Sequence, residues 1–391
     1  MRRLWLGLGI LLGAVVFLGV YGYQQLGGIG PVLQPPNRAI TQLLDNAEGP
    51  DFPLSLPPNF SIAIFARDLP GARVLVRDGR GNFWVSQTDQ GTISLLEVND
   101  NQVTSGRVVW RNLDNPHGLA IDPHDPLMLY FAEEGAISRV PLYREAVPEE
   151  IADLPRGGGH STRTLGFGPD DRLYVSIGSS CNVCYEQDSR RSKIFSLNRD
   201  GSQFQEVASG LRNAVFFTWS YVDGRMWATE MGRDLLGDDT PPDEINIIEA
   251  GKDYGWPTCY GKNIWDTTFD RSAAARARCA QAAPSLVDLQ AHSAPLGLAF
   301  VPEEGWPEEY WYDLLVAYHG SWNRREPTGY KVVRVKLDEQ GRYQGTEDFI
   351  SGWLQDGNAL GRPVDVRVEP GGVLYITDDK AGVIYRVIGQ P

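Results

Sequence analysis

Basic charge is the first shortage in this sequence. The chain of 391 residues carries 36 Lys and Arg against 50 Asp and Glu, a formal charge of −14. A surface of that sign repels phosphate backbones and excludes nucleic acid as a natural partner. Nucleotide fingerprints are also missing. No G-x-G-x-x-G opens a helix and no P-loop is present, which argues against NAD, FAD and ATP. No G-x-S-x-G elbow is present, which argues against a serine hydrolase. From Phe60 to Val387 there is no long amphipathic helical pattern. Cysteine is scarce: Cys181, Cys184, Cys259 and Cys279 are all there is. The even count in a domain that follows an export-type N-terminus predicts two disulfides, Cys181–Cys184 and Cys259–Cys279. A zinc site from the same four thiolates is the alternative. Tyr185, not histidine, follows the C-x-x-C pair, against covalent haem. No βαβ pattern surrounds it, against a thiol-redox role.

One long apolar run exists, Leu4–Tyr23, preceded by Arg2 and Arg3. About twenty apolar residues are enough to cross a bilayer core of roughly 30 Å. The flanking arginines predict a cytoplasmic N-terminus with the rest of the chain outside, in the periplasm or extracellular space. An uncleaved transmembrane anchor is favoured over a signal peptide, because no small-x-small cleavage site follows closely. Residues 24–57 are rich in Gly, Pro, Asn and Gln and read as a tether. The globular part is then 58–391.

That part repeats. Six units share short β-branched and aromatic runs separated by Gly, Asp and Pro: ARVLVRD/GNFWVSQ/TISLLEV, PHGLAID/LMLYFAE/AISRVPL, TRTLGFG/RLYVSIG/KIFSLN, RNAVFFT/RMWATEM/EINIIEA, PLGLAFV/DLLVAYH/KVVRVKL and RPVDVRV/GVLYITD/GVIYRVI. A unit of three or four strands cannot bury both its faces alone; six arranged radially can. The expected fold is an all-β, six-bladed β-propeller, with Phe60–Phe65 as an outer strand closing the ring against the last repeat. Two long insertions, Gly251–Ser293 and Gly320–Lys331, are expected as loops on one face.

The first strand of a blade lines the central channel, so residues just before it gather at one mouth. Those positions hold Arg73, His117, His160 with Arg163, Arg212 with Asn213, His292 with Ser293, and Arg362; His319 lies in a loop of the same region. A ring of Arg and His suits an anionic ligand, because guanidinium grips carboxylates and neutral imidazole takes a proton near pH 7. The segment Glu230–Pro257 adds Asp234, Asp238, Asp239, Asp243 and Glu244 in a Gly/Pro-rich stretch. Calcium favours such oxygen donors, although composition alone favours a solvated acidic loop.

The stretches GGGHSTRTLGFGPDDRLYVSIGS, SGLRNAV, EMG…DEINIIEAGKDYGWP, HSAPLGLAF, YHGSWNRREPTGYKVVRV and GRPVDV together resemble the quinoprotein glucose/sorbosone dehydrogenase family. The resemblance covers roughly Leu56 to Val387. The sorbosone and fungal pyranose dehydrogenase branch is closer than the soluble glucose enzyme. It implies a six-bladed propeller, pyrroloquinoline quinone (PQQ) and calcium. It also implies roles. His160 matches the base that takes the sugar C1 hydroxyl proton while hydride passes to the quinone. Arg212 and Asn213 match the pair contacting PQQ, and Arg362 matches one of two arginines holding PQQ carboxylates. Gly232 and Arg233 match positions whose carbonyls bind calcium, and Glu244 and Tyr254 match a further calcium site. Three positions depart from the glucose enzyme: Gly159 replaces the acid before the base, Ser179 replaces the aspartate that orients it, and Val364 replaces the second PQQ arginine. Arg73, His117, Arg163 and His319 (or Arg324) are the candidates to complete the PQQ cradle.

The leading expectation is PQQ- and calcium-dependent oxidation of an aldose-type sugar or sorbosone-like aldehyde. Electrons would pass to a quinone, cytochrome or dye-like acceptor, with a membrane contact through the N-terminal helix. The alternatives are a non-catalytic propeller that binds a sugar or protein and a calcium-dependent lactonase-type propeller, which needs several carboxylates at the mouth.

Overall fold

Burial along each repeat falls from the inside outward. The second strands, such as Phe83–Gln87, Met226–Glu230 and Leu314–Tyr318, are buried on both faces. The last strands, such as Gln102–Trp110 and Tyr343–Ile350, expose most of their side chains. That gradient is the signature of sheets packed radially around an axis. The computed structural model describes residues 49–143 and 146–389.

Six four-stranded antiparallel sheets form the blades. Blade 1 is Ala72–Arg77, Phe83–Gln87, Thr92–Asn99 and Gln102–Trp110; blade 2 is Leu119–Ile121, Met128–Glu133, Ala136–Pro141 and Glu149–Asp153. Blade 3 is Leu165–Phe167, Leu173–Ile177, Lys193–Leu197 and Gln205–Ser209; blade 4 is Phe217–Trp219, Met226–Glu230, Asp243–Ile248 and Val287–Leu289. Blade 5 is Pro295–Phe300, Leu314–Tyr318, Lys331–Leu337 and Tyr343–Ile350. Blade 6 takes three strands from the C-terminal end, Pro363–Glu369, Val373–Asp378 and Val383–Gly389. Its fourth is the first strand of the chain, Phe60–Ala66, registered Phe60 opposite Gly389. The expected closing strand is therefore present and one residue longer. The fourth strands of blades 1 to 3 and 5 are largely exposed or half-buried and that of blade 4 is only three residues long, which is why the repeats named from sequence stop at three.

The inner strands meet through glycine. A Cβ at Gly118 would lie 2.3 Å from the Arg163 carbonyl, and one at Gly297 would lie 2.6 Å from the Asp365 Cα. The recurrent G-L-A of blades 2 and 5 thus marks where neighbouring blades touch at the axis. Gly118 N donates to Arg163 O at 2.8 Å, and Leu75 N donates to Asp365 Oδ2 at 3.1 Å, tying blade 1 to blade 6. Aliphatic layers between the blades, such as Leu129, Leu314, Val316 and Val364, are fully buried. Each contributes about 1.5–3 kcal/mol on leaving water.

Two corrections concern the margins. The end of the stretch read as a tether is packed: Phe52, Leu54 and Leu56 cover the apolar layer of blades 5 and 6, and Ser55 bridges Ser351. The blade 4 insertion holds a short hairpin, Cys259–Tyr260 with Ile264–Trp265, and a helix, Ala273–Gln281. Ser272 caps that helix by accepting from Ala275 N. Both disulfides form as expected, Cys181–Cys184 and Cys259–Cys279, so the zinc alternative falls. The anchor expected at Leu4–Tyr23 lies outside the described residues; among the described ones no helix is long and apolar enough to cross a membrane.

Candidate active site

Two loops between second and third strands, 231–242 and 319–330, converge with the entry segments of blades 3 to 5. They enclose a cavity of about 310 Å³ lined by His160, Arg212, Asn213, Asp234, Asp243, His292, Trp322 and Asn323, among others. His160, Arg212 and Asn213, expected together from their positions in the repeats, line this one cavity.

His160 is held by Ser179. Nδ1 lies 2.9 Å from the Ser179 carbonyl and 2.8 Å from its Oγ. A carbonyl only accepts, so Nδ1 carries the proton and Nε2 keeps its lone pair. Burial, reinforced by the Arg212 charge, pushes the imidazole down to about 3, so it is neutral at pH 7. The position that departs from the glucose enzyme therefore still orients the histidine, by main chain and hydroxyl instead of carboxylate. Gly178 makes this possible: a Cβ there would lie 2.7 Å from both His160 Cβ and Asn213 Oδ1.

Arg212 is fixed on three sides. Nε donates to Asn182 O at 2.9 Å, and Nη2 donates to Asn182 Oδ1 at 3.0 Å and Asp234 Oδ2 at 2.9 Å. Asp234 Oδ1 accepts from Asn323 Nδ2 at 3.0 Å. Asn323 also approaches His292 Nδ1 at 3.4 Å, and His292 Nε2 donates to Gly237 O at 2.8 Å.

A second cationic cluster joins blades 1, 5 and 6. Asp379 Oδ2 accepts from Arg73 Nη1 and His319 Nε2, each at 2.8 Å. Arg362 donates to the carbonyls of His319 and Gly320, both at 3.2 Å, which links the cluster to the loop carrying Trp322 and Asn323. Burial and the Arg362 charge lower His319 to about 4. Burial opposes ionisation of Asp379, but His319, Arg73 and Arg362 hold it below the usual carboxylate range. Arg73 Nε is buried without a partner.

Arg163 and His117 are placed differently. Arg163 is fully buried and donates to the carbonyls of Glu134, His160, Thr162 and Pro155. Its guanidinium is spent on the fold and does not line the cavity; this corrects its assignment to a cofactor. His117 is also fully buried, with Phe216 edge-on at 5.3 Å. Burial and the Arg73 charge keep it neutral. It belongs to the channel wall, not to the cavity lining.

The acidic residues of the 230–257 segment divide between two spaces: Asp234 and Asp243 line the cavity, Glu230 and Glu244 a second one. Asp234 serves Arg212, and Asp239 pairs with Arg324 at 3.1 Å. Asp243 accepts from Gly232 N and Ala294 N, both at 2.9 Å. Glu244 faces this second, smaller space of about 20 Å³, with Glu230, Gly232, Arg233, Tyr254 and Asp266 in its lining. That volume admits one ion or water. Glu230 Oε2 is buried there without a partner. Burial, and then the charge of Glu244, raise Glu230 well above the usual carboxylate range; burial lifts Glu244 to about 7. Two buried acids with an orphaned oxygen fit a hard cation. The Tyr254 hydroxyl is spent on Ile247 O and Glu249 N, so only its main chain can face an ion. Asp266 is neutralised by Arg233 at 2.6 Å. Met231 and Gly232 line both spaces and form the partition between them.

Sequence reasoning missed Glu230, Asp379 and Asn182, and gave no role to Trp322 or Asn323. Glu230 ends a buried second strand and Asp379 directly follows one, where a charged residue is out of place without a task.

Known proteins resemble this chain in sequence and in fold. An uncharacterised protein of Borreliella burgdorferi is 31% identical over 354 residues, spanning 85% of this chain and 90% of that one. The PQQ-dependent pyranose dehydrogenase of Coprinopsis cinerea is 27% identical over 345 residues. The match takes in 74% of this chain but only 46% of that protein. Its PQQ domain in the holo form superposes with a TM-score of 0.74 at 23% identity, covering 88% of this chain and 98% of the domain. A calcium structure of the Trichoderma reesei carbohydrate-active family AA12 enzyme gives a TM-score of 0.75 at 20% identity, with 88% and 99% covered. These structural likenesses speak for the fold. The TrAA12-like family model matches residues 54–390, and the chain belongs to that family.

Proposed function

We propose that this protein is a PQQ- and calcium-dependent dehydrogenase that oxidises an aldose-type sugar, with a sorbosone-like aldehyde as the neighbouring possibility. The observation that carries the reading is His160. It is held as one tautomer by Ser179, is neutral, and lines a cavity with Arg212 and Asn213 beside it. The residues fit the cofactor. Arg73 and Arg362, with neutral His319 and the Asp379 carboxylate, form a partly buried cluster of net positive charge with an unpartnered Arg73 Nε, suited to carboxylates. Bound PQQ supplies a quinone that accepts two electrons as hydride.

The protein's own work is proton transfer and orientation. His160 Nε2 takes the hydroxyl proton of the carbon being oxidised. Arg212 lies across the cavity wall, pinned by Asn182 and Asp234, and stabilises negative charge developing on the cofactor side. Calcium is assigned to the Glu230–Glu244 void and to the carbonyls of Gly232 and Arg233 at the partition. Trp322, 38% exposed at the cavity, offers a face for a pyranose ring. The Coprinopsis enzyme, PQQ-dependent by its name, supports the same chemistry. The lactonase reading loses ground, since Asp234 is spent on Arg212 and Asp243 on two main-chain amides.

We place the catalytic domain outside the cytoplasm, held by Leu4–Tyr23, with a membrane or soluble electron acceptor. Both disulfides support that compartment. Protease protection of spheroplasts tests it: the domain should be digested from outside, and protection would place it within. Reduction of an artificial acceptor by the PQQ- and calcium-loaded chain, across a panel of aldoses, tests the activity.

A further inference from the structure

The loop carrying Ser179 continues into a closed turn. Cys181 and Cys184 are bonded, so Cys181, Asn182, Val183 and Cys184 form a covalent ring beside the cavity wall. Hydrogen bonds leave this ring for both catalytic groups. Cys181 O accepts from Ser179 Oγ at 2.7 Å. That bond fixes the hydroxyl rotor and turns its lone pair toward His160 Nδ1, 2.8 Å away. Asn182 takes Arg212 twice, by its carbonyl at 2.9 Å and by Oδ1 at 3.0 Å. The same side chain brackets Asp234, accepting from its N at 2.7 Å and donating to its O at 3.1 Å.

His160 enters blade 3 and Arg212 enters blade 4, so no single strand sets one against the other. One main-chain bond, Ser179 N to Arg212 O at 2.7 Å, joins the two backbones; the ring reaches their side chains. It is itself anchored on its far side. Ser180 donates from N and Oγ to the Glu186 carboxylate, each at 2.7 Å, and Tyr185 OH donates to Asp270 at 2.5 Å on the blade 4 insertion. A loop this short has little chain entropy to lose, so its cross-link adds little to global stability. Its effect is local: it fixes where the Cys181 carbonyl and the Asn182 amide point.

We propose that the Cys181–Cys184 disulfide, acting through Asn182 and Ser179, is the positioning device that sets the His160 tautomer and the Arg212 guanidinium against each other. The inference rests on His160 and Arg212 having the roles given above. Cys181, Asn182 and Cys184 are positioning residues; none touches substrate.

The test compares the full chain with a Cys181→Ser/Cys184→Ser double variant and with Asn182→Ala, which keeps the disulfide. Loaded with PQQ and calcium, both variants should lose kcat by about ten-fold or more while melting within a few degrees of the parent. The cofactor-free proteins give a second readout, the imidazole ¹⁵N spectrum. The parent should show His160 as the Nδ1–H tautomer alone, and the double variant should show a mixture. A double variant with the parental tautomer and kcat overturns the proposal. If the double variant fails to fold, unchanged kcat in Asn182→Ala overturns it. A loaded parent that oxidises no sugar sinks the functional reading instead, and the tautomer comparison still decides the positioning.

Discussion

Ser179 gives His160 two acceptors at once, its carbonyl at 2.9 Å and its hydroxyl at 2.8 Å from the same Nδ1. The histidine is oriented without a carboxylate, and nothing negative is hydrogen-bonded to it to stabilise an imidazolium. His160→Ala should lower kcat by about 10²–10⁴-fold, the usual worth of a positioned base, with cofactor binding retained. Ser179→Ala keeps the carbonyl and should lose far less, about ten-fold. Steady-state kinetics beside cofactor titration separates the two; equal losses would mean that the hydroxyl alone orients the ring.

Burial holds His160 near 3 in the fold, against about 6.5 in an unfolded chain. The base is therefore available well below neutral pH. Its contribution to stability is present above about 6.5 and is lost as pH falls toward the folded value. In ¹⁵N spectra of the cofactor-free protein, the His160 ring should keep neutral-form shifts down to about pH 5. A midpoint near 6.5 would contradict the buried, carboxylate-free setting.

The Glu230–Glu244 void reverses that sign. Burial raises both acids, so their protonated forms stabilise the cation-free fold below about pH 4, and this is lost as pH rises, through about 7 for Glu244. Calcium takes the place of those protons. It should raise the melting temperature by several degrees at about pH 8 and hardly at all at about pH 5. Glu230→Gln should abolish the calcium effect and make the cation-free protein more stable at the higher pH. Differential scanning calorimetry with and without chelator reads both.

Arg73 and Arg163 should part company. Arg73 holds one carboxylate and has a spare Nε beside Arg362 and His319. Loss of one charge-assisted contact, about 1.5–3 kcal/mol, makes Arg73→Gln bind PQQ roughly ten- to hundred-fold more weakly. Arg163→Gln instead orphans buried carbonyls at about 1–3 kcal/mol each. It should lower the melting temperature with little specific change in cofactor affinity. Isothermal titration and thermal melts on the two variants decide.

The propeller was legible because its inner three strands per blade are apolar, evenly spaced and punctuated by glycine. The closing strand Phe60–Ala66 was legible because an apolar run stands ahead of the first repeat with no unit of its own. The exposed outer strands left no alternating pattern, and the Ala273–Gln281 helix is too short and too polar to announce itself. At the site, the entry positions brought His160, Arg212 and Asn213 to one cavity. They did not say which way Arg163 points. Three residues after His160, it turns inward because four main-chain carbonyls await it, and carbonyl acceptors are invisible in a sequence. Ser179 was noted only as a missing aspartate for the same reason: half of its hold on His160 is main chain. The acidic cluster at 234–244 was contiguous in sequence but is split by strand alternation, which sends Asp243 to the cavity and Glu244 to the void.

The most direct measurement is cofactor binding coupled to turnover in the full chain. Purified protein is titrated with PQQ in the presence of calcium, and acceptor reduction is followed across aldoses and aldehydes. We predict saturable binding at micromolar PQQ or below, sugar-dependent reduction that chelator abolishes, and loss of reduction but not of binding in His160→Ala. Absence of PQQ binding at micromolar concentration, or turnover unaffected by His160→Ala, would contradict the account.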